Sequence, residues 1–284
     1  MQVIDWRINE LKSGSTIVAL CHKDSKLHVV NYKQSCPDGK QFDSIDLTTV
    51  FSSYKAQFAL YHQKRPEEKG QVSVKRTQIL DLVAAANDPY GAQGVSVSVI
   101  INREASICNR LSSQPHPNVV QFLGVQVSDE LIFVHEGANL HVPLPRTSVT
   151  GLVFKKHDCT LDELVIRGHK VDVKLCVKSI AAAIQHLHKM ALVHGNISPH
   201  NIYVLRGKEK NSFVLGGLSG AYNTGDVITV KTGANGWSRR KRSGLDQAEE
   251  EDDWYALRKL TEWLINETGG SMEDFAGIEA LARH

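Results

Sequence analysis

Apolar and polar positions alternate with a period near two through the first part of the chain, the pattern of half-buried strands. Ser15–Leu20 (STIVAL) and Lys26–Tyr32 (KLHVVNY) follow it, and the turn-forming His22–Ser25 between them predicts a hairpin. Cys36–Lys40 (CPDGK) carries Pro-Asp-Gly turn chemistry. Gln57–His62 (QFALYH) and Val72–Lys75 (VSVK), separated by the polar RPEEKG, predict a second hairpin. Ile79–Gln93 is ambiguous: Ala84–Ala86 favours helix, while Asp88-Pro89 and Tyr90-Gly91 stop it. Ile100–Leu111 spaces Ile100, Ile101, Ile107, Cys108 and Leu111 along one helical face. Val119–Leu123, Leu131–Val134 and Leu152–Phe154 read as strands, with Pro143 and Pro145 in a loop between the last two.

The period then lengthens. Thr160 stands three residues before Glu163, a capping-box spacing that predicts a short helix over Thr160–Ile166. Val173–Met190 (VKLCVKSIAAAIQHLHKM) is the clearest helix, with Leu175, Ile180, Ile184 and Leu187 as its core face and no Gly or Pro inside it. A further helix is predicted over Asp253–Asn266, carrying Trp254, Leu257, Leu260, Trp263 and Leu264. Strands first and helices afterwards predict an α+β arrangement in two unequal lobes.

Composition narrows the function classes. The 284 residues include 33 Lys plus Arg and 31 Asp plus Glu, a balance that gives no reason to expect nucleic acid or an anionic membrane as partner. The start lacks the cationic and apolar run of a signal peptide, and no window reaches the roughly 18 apolar residues of a membrane helix. A cytoplasmic protein is expected. The five cysteines are scattered with no CxxC spacing, which predicts reduced thiols. Thirteen histidines suggest metal, yet His186/His188 and His194/His200 lack a third ligand at suitable spacing.

Following the strongest helix, Leu192–Val204 reads LVHGNISPHNIYV. This resembles the protein-kinase catalytic loop, His-Arg-Asp-Leu-x-x-x-Asn, with His194 at the His, Gly195 at the Arg, Asn196 at the catalytic Asp and Asn201 at the metal-binding Asn. Three more fragments fall in kinase order. HPNVVQFLGV (His116–Val125) resembles the turn and strand after the αC helix, in the style of tyrosine-kinase-like sequences. GLVFKKHDCTLDELV resembles the strand, hinge and short helix that follow, with Phe154 at the gatekeeper position. DWYALRKLTEWL resembles the helix that anchors the large lobe through its first Asp, here Asp253. The resemblance runs from residue 46 to 265, and implies an extension over 1–45 that adds strands, a small lobe over 46–155 and an abbreviated large lobe over 156–284.

The resemblance also implies which chemistry is missing. Asn196 is an amide where the family has the carboxylate that takes the hydroxyl proton, and losing a positioned base costs about 10²–10⁴ in rate. In FVLGGLSGAY (Phe213–Tyr222), Gly217 falls where the family has the Asp that holds Mg²⁺ on the phosphates, and a shift of one residue places Gly216 there instead. FSSYKAQF puts Phe51, Ser53 and Ala56 where a glycine-rich loop would admit phosphates. Lys75 matches the strand lysine, and Glu104 (in REASICNRL) is its partner if the preceding segment is an insertion. That pair could bind an α- or β-phosphate or be a structural ion pair. Asn201 would bind the second magnesium in active relatives; without catalysis it reads as a loop brace.

The expectation is therefore a pseudokinase with no catalytic residue, no metal and no required cofactor, binding at most ATP without Mg through Lys75, Glu104 and Asn201. Its partner would be a protein, an active kinase or a signalling complex; His-Gly-Asn in the loop is also seen in Janus-kinase regulatory pseudokinase domains. The alternative is a divergent kinase or phosphotransferase working through Lys75, Asn196 and Asn201. Arg239–Arg242 (RRKR), followed by the acidic Glu249–Asp253, reads as a solvated loop neutralised by that acidic run.

Overall fold

The computed structural model describes residues 2–11, 14–23, 26–33, 41–44, 50, 51, 53–61, 70–76, 96–135, 138–229, 236–239 and 246–269. The chain is mixed α+β, with antiparallel sheets and four α-helices among the described residues. It divides into two compact units, one of residues 1–62, 74–105 and 123–153, the other of 63–73, 106–122 and 154–284. The turn expected at Cys36–Lys40 and the ambiguous Ile79–Gln93 lie outside the described residues.

The first unit begins with a four-stranded antiparallel sheet: β1 (Gln2–Leu11), β2 (Gly14–Lys23), β3 (Lys26–Lys33) and β4 (Gln41–Ser44), paired in chain order. The expected β2–β3 hairpin forms, with Ile17 opposite Tyr32 and Cys21 opposite His28. The described strands within residues 1–45 pair with one another.

A second sheet has the order β5-β7-β6, from β5 (Val72–Arg76), β6 (Phe122–His135) and β7 (Ala138–Lys155). Here the structure corrects three expectations. Val119–Leu123 and Leu131–Val134 are not separate strands, because Phe122 through His135 runs on as one. Pro143 and Pro145 lie inside β7, not in a loop. Val142 and Leu144 between and beside them are buried, so the period of two persists through the prolines.

The second predicted hairpin also does not form. Val72–Arg76 pairs with β7, and the described part of Gln57–His62 makes a single parallel bridge, Leu60 to Val125. The reason sits at Gly124. Val125 N–H donates to the Ala59 carbonyl (2.8 Å) and Tyr61 N–H to the Val125 carbonyl (3.0 Å), drawing the 59–61 backbone onto β6. A Cβ on Gly124 would lie 2.7 Å from the Ala59 oxygen, and its φ of +134° is one that residues with a side chain rarely adopt. Helix α1 (Val97–Ser112) extends the predicted Ile100–Leu111, burying Glu104, Ala105, Cys108 and Leu111.

The second unit is built on three helices. Thr160 N–H reaches Glu163 Oε2 (3.3 Å), so the expected capping box starts α2 (Leu161–Ile166). Asp172 caps α3 (Val173–Lys189) by accepting Leu175 N–H at 2.8 Å. Ile180, Ile184 and Leu187 are fully buried on α3, while Leu175 stays partly exposed. Helix α4 (Glu250–Thr268) starts three residues earlier than predicted, because Glu250, Glu251, Asp252 and Asp253 fill a first turn where the helix dipole favours negative charge.

Short strands complete this unit. β8 (Cys159–Thr160), β10 (Ile202–Leu205) and β11 (Ser212–Leu215) pair in the order β11-β10-β8, and β9 (Leu192–Val193) pairs with β12 (Tyr222–Asn223). Beyond β12, Gly225 N–H bonds the Ala248 carbonyl, Ala248 N–H the Asp226 carbonyl and Ile228 N–H the Asp246 carbonyl, closing the base of the segment that carries the basic tetrad. Among the described residues, no helix is long and apolar enough to cross a membrane.

Gly124→Ala is expected to destabilise the fold by more than about 1 kcal/mol, since alanine must adopt a disfavoured φ against backbone that cannot retreat. Thermal denaturation reads this as a drop in Tm of roughly 2–4 °C or more for a domain of this size.

Candidate functional site

Residues 194–201 follow α3 and β9 and are held by a single carboxylate. Asp253 is 1 % exposed in the first turn of α4. Its Oδ2 accepts the backbone N–H of His194 (2.8 Å) and a bond from His188 Nε2 (3.0 Å), and its Oδ1 accepts the Gly195 N–H (2.8 Å). Three donors from two segments thus converge on one buried charge. Such a carboxylate must be hydrogen-bonded on both oxygens to offset its desolvation. His188 also faces Glu250 through Nδ1 (3.5 Å) and meets the Trp254 ring edge-on.

His194 is fully buried and works as a strut. Its Nδ1 accepts the Asn196 N–H (3.2 Å), which leaves the proton on Nε2 to be donated to the Gly216 carbonyl (2.8 Å). This bond ties the loop to the Gly216-Gly217 turn. Gly195 has a φ of +68°, so the position that resembles the family's arginine adopts a left-handed conformation that favours glycine.

Asn201 completes the brace. Its Nδ2 donates to the Asn196 carbonyl (2.8 Å), and its own carbonyl accepts the Gly216 N–H (2.9 Å). A Cβ on Gly217 would overlap the Asn201 carboxamide, and Gly217 sits at φ +73°. A Cβ on Gly216 would overlap the Tyr203 ring. At either candidate position of the metal-binding carboxylate, a side chain would require Asn201 or Tyr203 to shift. Asn196, Asn201 and Gly217 therefore lie together, and the groups they present are two amides and backbone.

In the first unit, Lys75 on β5 and Glu104 on α1 form an ion pair, Nζ to Oε2 at 2.7 Å. The lysine is about half exposed (49 %) and the glutamate is 2 % exposed, so Glu104 depends on Lys75 for neutralisation while Lys75 keeps donors facing solvent. Phe51–Phe58, with Ser52 outside the described residues, is not a loop between paired strands: Phe51 and Phe58 are buried, Ser53 bridges Ser148, and Tyr54 N–H bonds the Thr147 carbonyl (3.0 Å). In the second unit the Phe154 ring tilts against Phe122 at 5.5 Å. Arg239 pairs with Glu249 and Asp252, while Arg240–Arg242 lie outside the described residues.

The histidines have structural partners. His116 stacks on His186 (4.8 Å), His157 on Tyr203 (5.6 Å), and His200 Nδ1 lies 2.6 Å from Asp162. Among the described residues no cluster of three or more His, Cys, Asp or Glu side chains could hold a metal ion. Cys159 and Cys176 are free thiols, and complete burial pushes the Cys176 thiol up, away from the reactive thiolate. Sequence reasoning missed His188 as a donor to Asp253 and the steric reason for the paired glycines; only the capping position of Asp172 before an apolar-periodic run carried a readable signal. No known protein-family model matches the chain.

Asp253→Ala is expected to cost about 3 kcal/mol or more, because two backbone N–H groups and His188 lose their acceptor inside the protein; urea denaturation checks it. Lys75→Met is expected to destabilise by about 1–3 kcal/mol by leaving Glu104 buried and unpaired, and Lys75→Met with Glu104→Gln to regain part of that loss. A double-mutant cycle on folding free energy measures both.

Proposed function

We propose that this chain is a degenerate protein-kinase-like domain, two-lobed with a strand-rich small lobe and a short helical large lobe, that acts without phosphoryl transfer as a protein-interaction or allosteric module in cytoplasmic signalling. The observation that carries the reading is the Asn196–Asn201–Gly217 cluster. An amide stands where transfer needs a base, and Asn201 occupies the space that a carboxylate on residue 217 would need. Phosphoryl transfer rests on positioning and on charge neutralisation by metal, and these donors offer neither a proton acceptor nor an anionic ligand. Asp253 and His194, which brace the same loop, support retention of the loop's shape for a purpose other than chemistry.

The Lys75–Glu104 ion pair favours a second reading, a divergent ATP-binding kinase or phosphotransferase, since Lys75 keeps solvent-facing donors that suit a phosphate. Two measurements separate the readings. Purified protein is expected to show no Mg²⁺-dependent ATP turnover; turnover that disappears in Lys75→Met, with the Lys75→Met protein still folded by circular dichroism, would overturn the proposal. Thermal shift with millimolar ATP, with and without Mg²⁺, then tests nucleotide binding: a metal-independent rise in Tm identifies a nucleotide-binding sensor, and no shift identifies an empty interaction module.

A further inference from the structure

We infer that a cleft of about 510 Å³ in the second unit is a docking groove for a short segment of a partner protein in which carboxylate side chains flank an apolar one. This deepens the interaction-module reading and rests on it for the existence of a partner.

Its floor is apolar. Phe122 and Val214 are buried there, and Leu205 is left 40 % exposed at the end of β10, one of few large apolar side chains so exposed among the described residues. Covering Leu205 and its neighbours would remove apolar area from water at about 25 cal/mol per Å². An apolar segment is the natural partner for that surface.

The rim selects its charge. Lys155, His116 and His157 line the cleft, and none of its lining residues is Asp or Glu. Lys155 is exposed, with its ammonium uncommitted to any carboxylate that lines the cleft. The nearest acidic neighbour in sequence, Asp158, turns its carboxylate to the Arg206 N–H at 2.6 Å. Both rim imidazoles are held below the ordinary histidine range, chiefly by burial; the neighbouring His186 and Lys189 add to this at His116, and Lys155 at His157, where Asp158 acts the other way. The lining thus offers the Lys155 ammonium and no carboxylate, which favours an anionic group beside the apolar floor. The rings are fixed in place by their stacking on His186 and Tyr203, so the rim is preorganised and loses little conformational freedom on binding.

The test uses a displayed library of random ten-residue peptides panned on the full chain, followed by fluorescence anisotropy of the enriched peptides. Asp or Glu on either side of Leu, Phe or Trp is the expected consensus. Leu205→Asp and Lys155→Glu are each expected to weaken binding at least tenfold; both residues are exposed, so Tm should hold. No enriched peptide, a basic consensus, or binders indifferent to both substitutions would overturn the groove. ATP turnover measured on the same preparation keeps the two inferences apart. An inert protein without peptide binding sinks the groove alone, whereas turnover that Lys75→Met abolishes sinks the pseudokinase reading.

Discussion

A buried carboxylate is among the most expensive groups a fold can contain, and the second unit is organised around one. Asp253 gives up its hydration for two backbone N–H donors of the loop and one imidazole of α3. Charge-assisted bonds of this kind contribute about 1.5–3 kcal/mol each, so three together match a desolvation penalty of several kcal/mol. Because these donors come from α3 and from the 194–195 backbone, while the acceptor sits on α4, satisfying the charge fixes where helix, loop and helix meet. Had the loop carried one donor fewer, the same residue would act against the fold.

From that anchor the constraint passes outward through His194 to Gly216, and through Asn201 to Asn196 and Gly217. Each link is a polar side chain satisfied by backbone, which specifies loop shape without relying on a particular apolar packing. The two glycines accept neighbours that a Cβ would displace. The side chains that brace the loop, Asn201 and Tyr203 among them, stand where a Cβ at residue 217 or 216 would lie.

Legibility in the sequence followed periodicity. Helix α3, the Thr160–Glu163 capping box and the β2–β3 hairpin were all readable because local pattern and final structure agree there. The hairpin expected between Gln57–His62 and Val72–Lys75 was not, because its local signal lost to a backbone contact made possible by one glycine more than 60 residues away in the chain. Pro143 and Pro145 concealed a strand because proline argues against one locally, although the burial of Val142 and Leu144 keeps the period of two there. The loop residues were found through likeness to a motif, whereas His188 lies in an ordinary helical run and becomes a donor only when α4 folds beside it. The cleft draws on several segments widely separated in the chain, and no linear pattern encodes that convergence.

The backbone bonds that join Gly225–Ile228 to Asp246–Ala248 close a segment whose described residues are tied to α4. Trp237 meets the Trp263 ring edge-on at 6.4 Å, and Arg239 pairs with Glu249 and with Asp252 in the first turn of that helix. A change of charge at residue 239 or of ring at residue 237 therefore reaches the helix whose first turn also carries Asp253.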